Sequence, residues 1–262
     1  MAIKEVSISS LSSYLTQIEK IQSRWHIFHS DVWYRGVASS KYELVPGIIW
    51  RDVKIGQTIT NDFLMHYKAY ESGGYNDSWE LYSLMQHYGL PTRLLDWSKK
   101  PLIALYFALE EDTKTRPKSS NKRVVWMMIP GSLNKILTNH VDVDCTITRP
   151  DLDHYLPDSL ASKSIKEKNL PKTPLAITVP LANQRVVSQE GVFTIHGEEG
   201  NSIDSYFSND SSEFKDHIVK FVIKEEHRER IRKQLYSVGY KEDDVYQDLN
   251  SLSVRIIREW GI

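Results

Sequence analysis

Apolar positions recur at helical spacing along much of the chain, and in one place they run unbroken. Leu11, Leu15, Ile18 and Ile21 form an approximate stripe, so a first helix is expected from a Ser9 or Ser10 cap through Trp25. Asp31 to Gly36 reads as a short strand stopped by glycine. Its alternation places Trp33 and Arg35 on one face, Val32 and Tyr34 on the other. Further helices are expected from Thr58 or Thr60 to Glu71, and from an Asp77 or Ser78 cap up to Gly89. Arg123 to Pro130 is the clearest buried strand and Gly131 to Leu137 a short helix. Leu175 to Pro180, Val192 to Gly197 and His217 to Lys224 are further strands. Two helices close the chain, Glu226 to Val238 and Asp243 or Asp244 to Trp260.

The unbroken apolar run lies at Pro101 to Leu109. A helix apolar on every face belongs inside a domain rather than on its surface. It follows directly on Gln86 to Ser98, a segment dense in polar and aromatic groups and broken by Gly89 and Pro91, expected as a turn-rich loop. Such a loop feeding a buried helix is how a rigid scaffold presents reactive groups. Glu110 to Lys122 is expected as an exposed connection, Asp151 to Pro174 as a mobile flap and Glu198 to Ser212 as a flexible polar insertion. Helices early, strands after the midpoint and helices again predict an α+β fold. The expected form is a single domain with a small mixed or antiparallel β core around the buried helix, flanked by N- and C-terminal helices.

The 262 residues, 40% hydrophobic and 26% charged, allow a full core. A formal charge of -1 argues against broad electrostatic capture of nucleic acid or acidic membrane. The single cysteine, Cys145, excludes an intrachain disulfide and a multi-thiolate zinc site. With no signal-like or membrane-length apolar run, a cytoplasmic location without membrane association is expected.

The polar residues leave alternatives open. Arg35 beside Gly36 suits a phosphate, since a guanidinium fork matches phosphate oxygens, and it equally suits a buried pair with an acid such as Asp96. Gly36 would let a ligand approach the backbone. His87, at a helix end, is a general acid or base or a partner of the helix dipole. Ser98 is the natural N-cap of the central helix. His140, Asp142 and Asp144 read as a solvated turn rather than a metal site. The basic stretch Lys114, Arg116, Lys118, Lys122 and Arg123 reads as a solvated loop that could touch phosphates.

Tyr34-Arg35-Gly36, then Gln86-His87-Tyr88-Gly89-Leu90-Pro91-Thr92-Arg93-Leu94-Leu95-Asp96-Trp97-Ser98, then Ala104-Leu105-Tyr106-Phe107-Ala108, resemble the FRG domain family. Arg185 to Phe193, with Gln189 and Gly191, is similar to a later segment of that family. The resemblance implies an N-terminal helical segment over residues 1–30 and an FRG domain over 31–262. The order of motifs is similar to the ADP-ribosyltransferase fold, which implies NAD as substrate, a glycosyl transfer, and a role as a bacterial or phage toxin or defence effector. The protein or nucleic-acid acceptor and the oligomeric state stay open. These readings together place Gln189, His87 and Asp96 as catalytic, and Arg35, Gly36, Tyr88, Arg93 and Ser98 as nucleotide-binding, with no metal. One departure counts against catalysis: no Glu stands two positions after Gln189, where Gly191 sits. A non-catalytic module that senses a nucleotide or a partner is the alternative, with a nuclease acting through His87 ranked below both.

Overall fold

Eight strands build one mixed sheet: Lys4–Ile8 (β1), Trp33–Val37 (β2), Leu94–Ser98 (β3), Lys122–Met128 (β4), Asp144–Cys145 (β5), Leu175–Thr178 (β6), Gly191–Ile195 (β7) and Ile218–Lys224 (β8). Their order is β1-β8-β4-β2-β3-β7-β6-β5, with the two edge pairs parallel and the others antiparallel. The structure, a computed structural model, describes residues 3–27, 32–70, 75, 77–111, 120–161, 169–180, 187–210 and 212–261. Helices are Leu11–Trp25 (α1), Gly47–Trp50 (α2), Gly56–His66 (α3), Ser78–His87 (α4), Pro101–Leu109 (α5), Pro130–Thr138 (α6), Ile203–Asn209 (α7), Glu225–Ser237 (α8), Glu242–Tyr246 (α9) and Leu249–Trp260 (α10). Among the described residues no helix is long and apolar enough to cross a membrane.

The sheet is pinched in its middle. β4 pairs along the whole of β2, and β7 along the whole of β3, yet β2 and β3 share only the pair Tyr34–Ser98. Two four-stranded halves therefore diverge from one point. α1, α5 and α8 cover one face of the β2 half, burying Tyr14, Leu105, Phe221 and Leu235. The other face packs Trp33, Trp126 and Phe207 against α6 and α7. α4 and the short 3-10 turn Pro150–Tyr155 cover the β3 half, with Trp79, Tyr82 and Phe193 at the centre.

α5 forms as the apolar run dictates, with Pro101 at its start and Ile103, Ala104, Leu105, Tyr106, Ala108 and Leu109 buried. It lies so close on β2 that a Cβ added to Gly36 would stand 1.8 Å from the Ala104 carbonyl oxygen. Gly36 is therefore needed for helix–strand contact. That differs from the expected role of opening the backbone to a ligand.

Several expectations change. Residues 1–30 were expected to be helical only, but Lys4–Ile8 is an edge strand paired with β8, and Ile8 and Leu11 share a core with Phe221. The polar segment after Glu198 holds α7, whose Ile203 and Phe207 are fully buried, so two apolar residues at helical spacing outweigh the polar ones around them. The described part of the expected flap at 151–174 packs Leu152, Tyr155, Leu156 and Leu160 into the core. The final helix is broken where Gln247 turns left-handed and Asp248 caps a new one.

His196, just after β7, is fully buried. Burial, with Arg93 nearby, pushes its pKa down to about 3, against a contact with the Asn201 backbone. Near neutral pH the imidazole is uncharged in the folded and unfolded chain alike. As pH falls below about 6.5 the unfolded chain takes up a proton that the folded one refuses, and stability falls by about 1.4 kcal/mol per pH unit down to about pH 3. Urea denaturation at pH 7 and pH 5 should therefore differ by about 2 kcal/mol from this residue, and His196→Gln should flatten that slope. An equal slope in the variant would show that other groups cause the acid sensitivity.

Candidate functional site

Where β2 and β3 part, a cavity of about 390 Å³ opens between the two halves of the sheet. α5 supplies its floor through Ala104 and Phe107, and α4 supplies one wall through Ser83, Gln86 and His87. Tyr42 and Trp50, the latter ending α2, line it as well. Arg35, Gly36, His87, Asp96, Ser98 and Gln189 all line it, so residues far apart in the chain meet at one place. Tyr88 and Arg93 do not. Tyr88 is 62% exposed beyond the end of α4. Arg93 turns away, its Nη1 donating to the Gly197 carbonyl at 3.0 Å.

Arg35 and Asp96 face each other across the pinch. Arg35 Nη1 donates to the backbone carbonyl of Asp96 at 2.5 Å and lies 3.7 Å from Asp96 Oδ2. Burial lowers the guanidinium's pKa and Asp96 opposes that shift. The arginine thus does both things left open above: it pairs with Asp96 and lines the cavity. Asp96 is the one exposed side chain of β3, because both faces of that strand are otherwise covered. This also explains why Leu94 to Ser98 is a strand and not the expected loop. Its residues show no alternation, since apolar neighbours lie on both sides, and only Asp96 looks into the cleft.

Ser98 ends β3, and the N-cap of α5 is Lys100, which makes no side-chain cap bond. The Ser98 hydroxyl accepts from the Lys100 N–H at 2.9 Å and donates to the Gln189 carbonyl at 2.5 Å. It pins one turn to another. That turn carries Gln189 and Glu190 ahead of β7. Glu190 takes a left-handed φ of 45°, and its carbonyl accepts from Lys99 N at 3.2 Å. Lys100 Nζ donates to Ser188 O at 2.7 Å and lies 3.6 Å from Glu190 Oε1. The Gln189 side chain is spent as well: Nε2 donates to the Val245 carbonyl at 3.0 Å, tying the turn to α9. Lining the cavity and holding its edge together are both done by this residue.

Sequence reasoning left out four contributors. Gln86 Nε2 donates to Asp96 Oδ2 at 2.8 Å, and Thr92 Oγ1 donates to Gln86 Oε1 at 2.5 Å. Glu110 and Glu111 line the cavity at the end of α5; Glu110 Oε1 accepts from the Tyr246 hydroxyl at 2.5 Å, and Glu111 lies 3.7 Å from Arg228. Gln86 and Thr92 stood in the polar segment singled out above, and their offset from Asp96 was the available signal. Glu110 sat at the end of the apolar run with nothing to mark it. With Asp96, Glu110 and Glu111 against Arg35, the charged lining is net acidic.

Among the described residues no group of three His, Cys, Asp or Glu is arranged to hold a metal ion. Arg185 and the basic residues Lys114, Arg116 and Lys118 lie outside the described residues. Lys122 and Arg123 open β4, where Arg123 is buried against Glu225 at 3.2 Å and donates to the Glu110 carbonyl, so it is not free to meet phosphates.

No curated protein and no solved structure matches the chain. The family model of the FRG domain matches residues 30–117. That span supplies β2, α4, β3 and α5, with Arg35, Gln86, His87 and Asp96 on them, and the chain carries an FRG domain there.

Proposed function

We propose that the cleft binds the nicotinamide riboside end of NAD and that the chain is an ADP-ribosyltransferase-like enzyme cleaving the bond between nicotinamide and ribose. The observation that carries this reading is the Asp96 carboxylate at the mouth of an aromatic-walled cavity, set against Arg35. Breaking that bond leaves a sugar cation akin to the oxocarbenium species of glycoside hydrolysis, which a nearby carboxylate stabilises. A half-enclosed site strengthens the effect. Ligand pockets span roughly 300 to 1,000 Å³, so a cavity near the lower end suits one nucleoside unit rather than a whole dinucleotide. The net acidic lining favours the cationic nicotinamide ring inside and leaves the phosphates toward Arg35 at the opening. Asp96 thus takes the part that the absent Glu after Gln189 would have played. A toxin or defence role follows from such chemistry if the acceptor or the NAD pool belongs to a competitor, a host or an infected cell.

The test is nicotinamide release from NAD by the purified chain. Wild type is expected to release it, and Arg35→Ala to weaken nucleotide binding about 10- to 100-fold, the loss of a charge-assisted contact. Arg35→Lys keeps the charge and controls for lost packing. If calorimetry finds no nucleotide bound at all, the reading fails. A second reading, a nucleotide sensor without turnover, is favoured by the Gln189 side chain being held by Val245. Binding without nicotinamide release would establish it.

A further inference from the structure

We infer that Gln86 and Thr92 are positioning residues that hold Asp96 as an anion with one carboxylate oxygen turned to the cavity. This rests on the reading of Asp96 as the reacting carboxylate. The inference comes from the direction of three hydrogen bonds. The Leu94 N–H donates to Thr92 Oγ1 at 3.0 Å.

Thr92, itself fully buried, therefore accepts on one side and has one proton to give. It gives that proton to Gln86 Oε1 at 2.5 Å. With its oxygen engaged by Thr92, the Gln86 amide turns its NH2 to Asp96 Oδ2 at 2.8 Å. An amide N–H pointing at Oδ2 requires that oxygen to accept. A proton on the same oxygen would place two donors face to face. Arg35 Nη1, 3.7 Å away, adds a positive charge on that side.

The chain of donors starts at the Leu94 N–H, which cannot reverse, and runs through Thr92 and Gln86 to Asp96. Asp96 is thereby held for work as a charge stabiliser or base and barred from serving as a general acid through Oδ2. This also gives a reason for Gln, Thr and Asp standing at 86, 92 and 96. The helix end, the turn and the strand each contribute one member, and the turn at Gly89 brings them together.

Two measurements test the inference independently. Neutron diffraction on the deuterated protein should show the Thr92 deuteron directed at Gln86 Oε1 and the Gln86 deuterons at Asp96 Oδ2. A deuteron on Asp96 Oδ2, or a Gln86 oxygen facing Asp96, overturns it whatever the enzyme does. In nicotinamide release, Gln86→Leu should lower kcat about 10- to 100-fold with KM within about threefold, the loss of a hydrogen bond to a charged group. Thr92→Val should behave likewise, while Thr92→Ser, which keeps the hydroxyl, should restore the wild-type kcat. An unchanged kcat in Gln86→Leu sinks the positioning role while leaving the proposed activity standing. A wild type that releases no nicotinamide sinks the activity and, with it, the catalytic part of the inference; the neutron result still decides the orientation of the relay.

Discussion

Gly36→Ala should destabilise the protein by about 3 kcal/mol or more, the upper range for overpacking a tight core. The new methyl carbon would stand 1.8 Å from the Ala104 carbonyl oxygen, 2.6 Å from the Ala108 nitrogen and 2.9 Å from the Ala104 carbonyl carbon. All three are backbone atoms of α5, so no side-chain rotation relieves the clash. The helix must move by more than an ångström to restore ordinary contact, and it is buried on nearly every side. For a chain of this size, about 3 kcal/mol corresponds to a drop of roughly 6 to 12 °C in Tm. The same shift would displace Ala104 and Phe107 from the cavity floor, so any ligand affinity should fall with it. A Tm within about 2 °C of wild type would mean that β2 and α5 are not in the contact described, and the cavity floor would have to be redrawn.

The elements legible in the sequence are those that carry their own reason to form. α5 declares itself by having no polar face, β4 and β8 by runs rich in β-branched and apolar residues, and α1 by the Ser10 cap with Ser13 answering it. The illegible ones owe their state to distant partners. β1 is five residues long and becomes a strand through pairing with β8 near the other end of the chain. β3 looks like a polar turn until β7 and the two covering layers are in place. For the site, the grouping of Arg35, His87, Asp96 and Gln189 could be suggested by the order of motifs. What each does there could not: whether Gln189 faces a ligand or Val245 depends on α9, which no local pattern connects to it. Tyr88 and Arg93 were drawn in by proximity in sequence to His87 and Asp96. The backbone turn that brings Gln86 to Asp96 sends those two outward.

Asp96→Asn should reduce nicotinamide release about a thousandfold while the fold stays intact, by analogy with removing one group aimed at a developing transition-state charge. The substitution keeps shape and volume. The asparagine oxygen can still accept from Gln86, and the backbone carbonyl of residue 96 can still accept from Arg35. What disappears is the negative charge next to the ribose. The lost ion pair with Arg35 is long, 3.7 Å, and the Asp96 side chain is 53% exposed, so stability should change by less than about 1 kcal/mol. Affinity for NAD should change little, because the charge matters most once the sugar becomes cationic; the loss should fall on kcat. This separates Asp96 from Arg35, whose replacement should act on binding. Gln189→Ala gives a third pattern, since it cuts the bond to Val245 and should loosen the turn before β7 rather than remove a reacting group. If Asp96→Asn keeps release within tenfold of wild type, the carboxylate that meets the sugar is not this one. Glu110, held by the Tyr246 hydroxyl on the same cavity, then becomes the residue to replace.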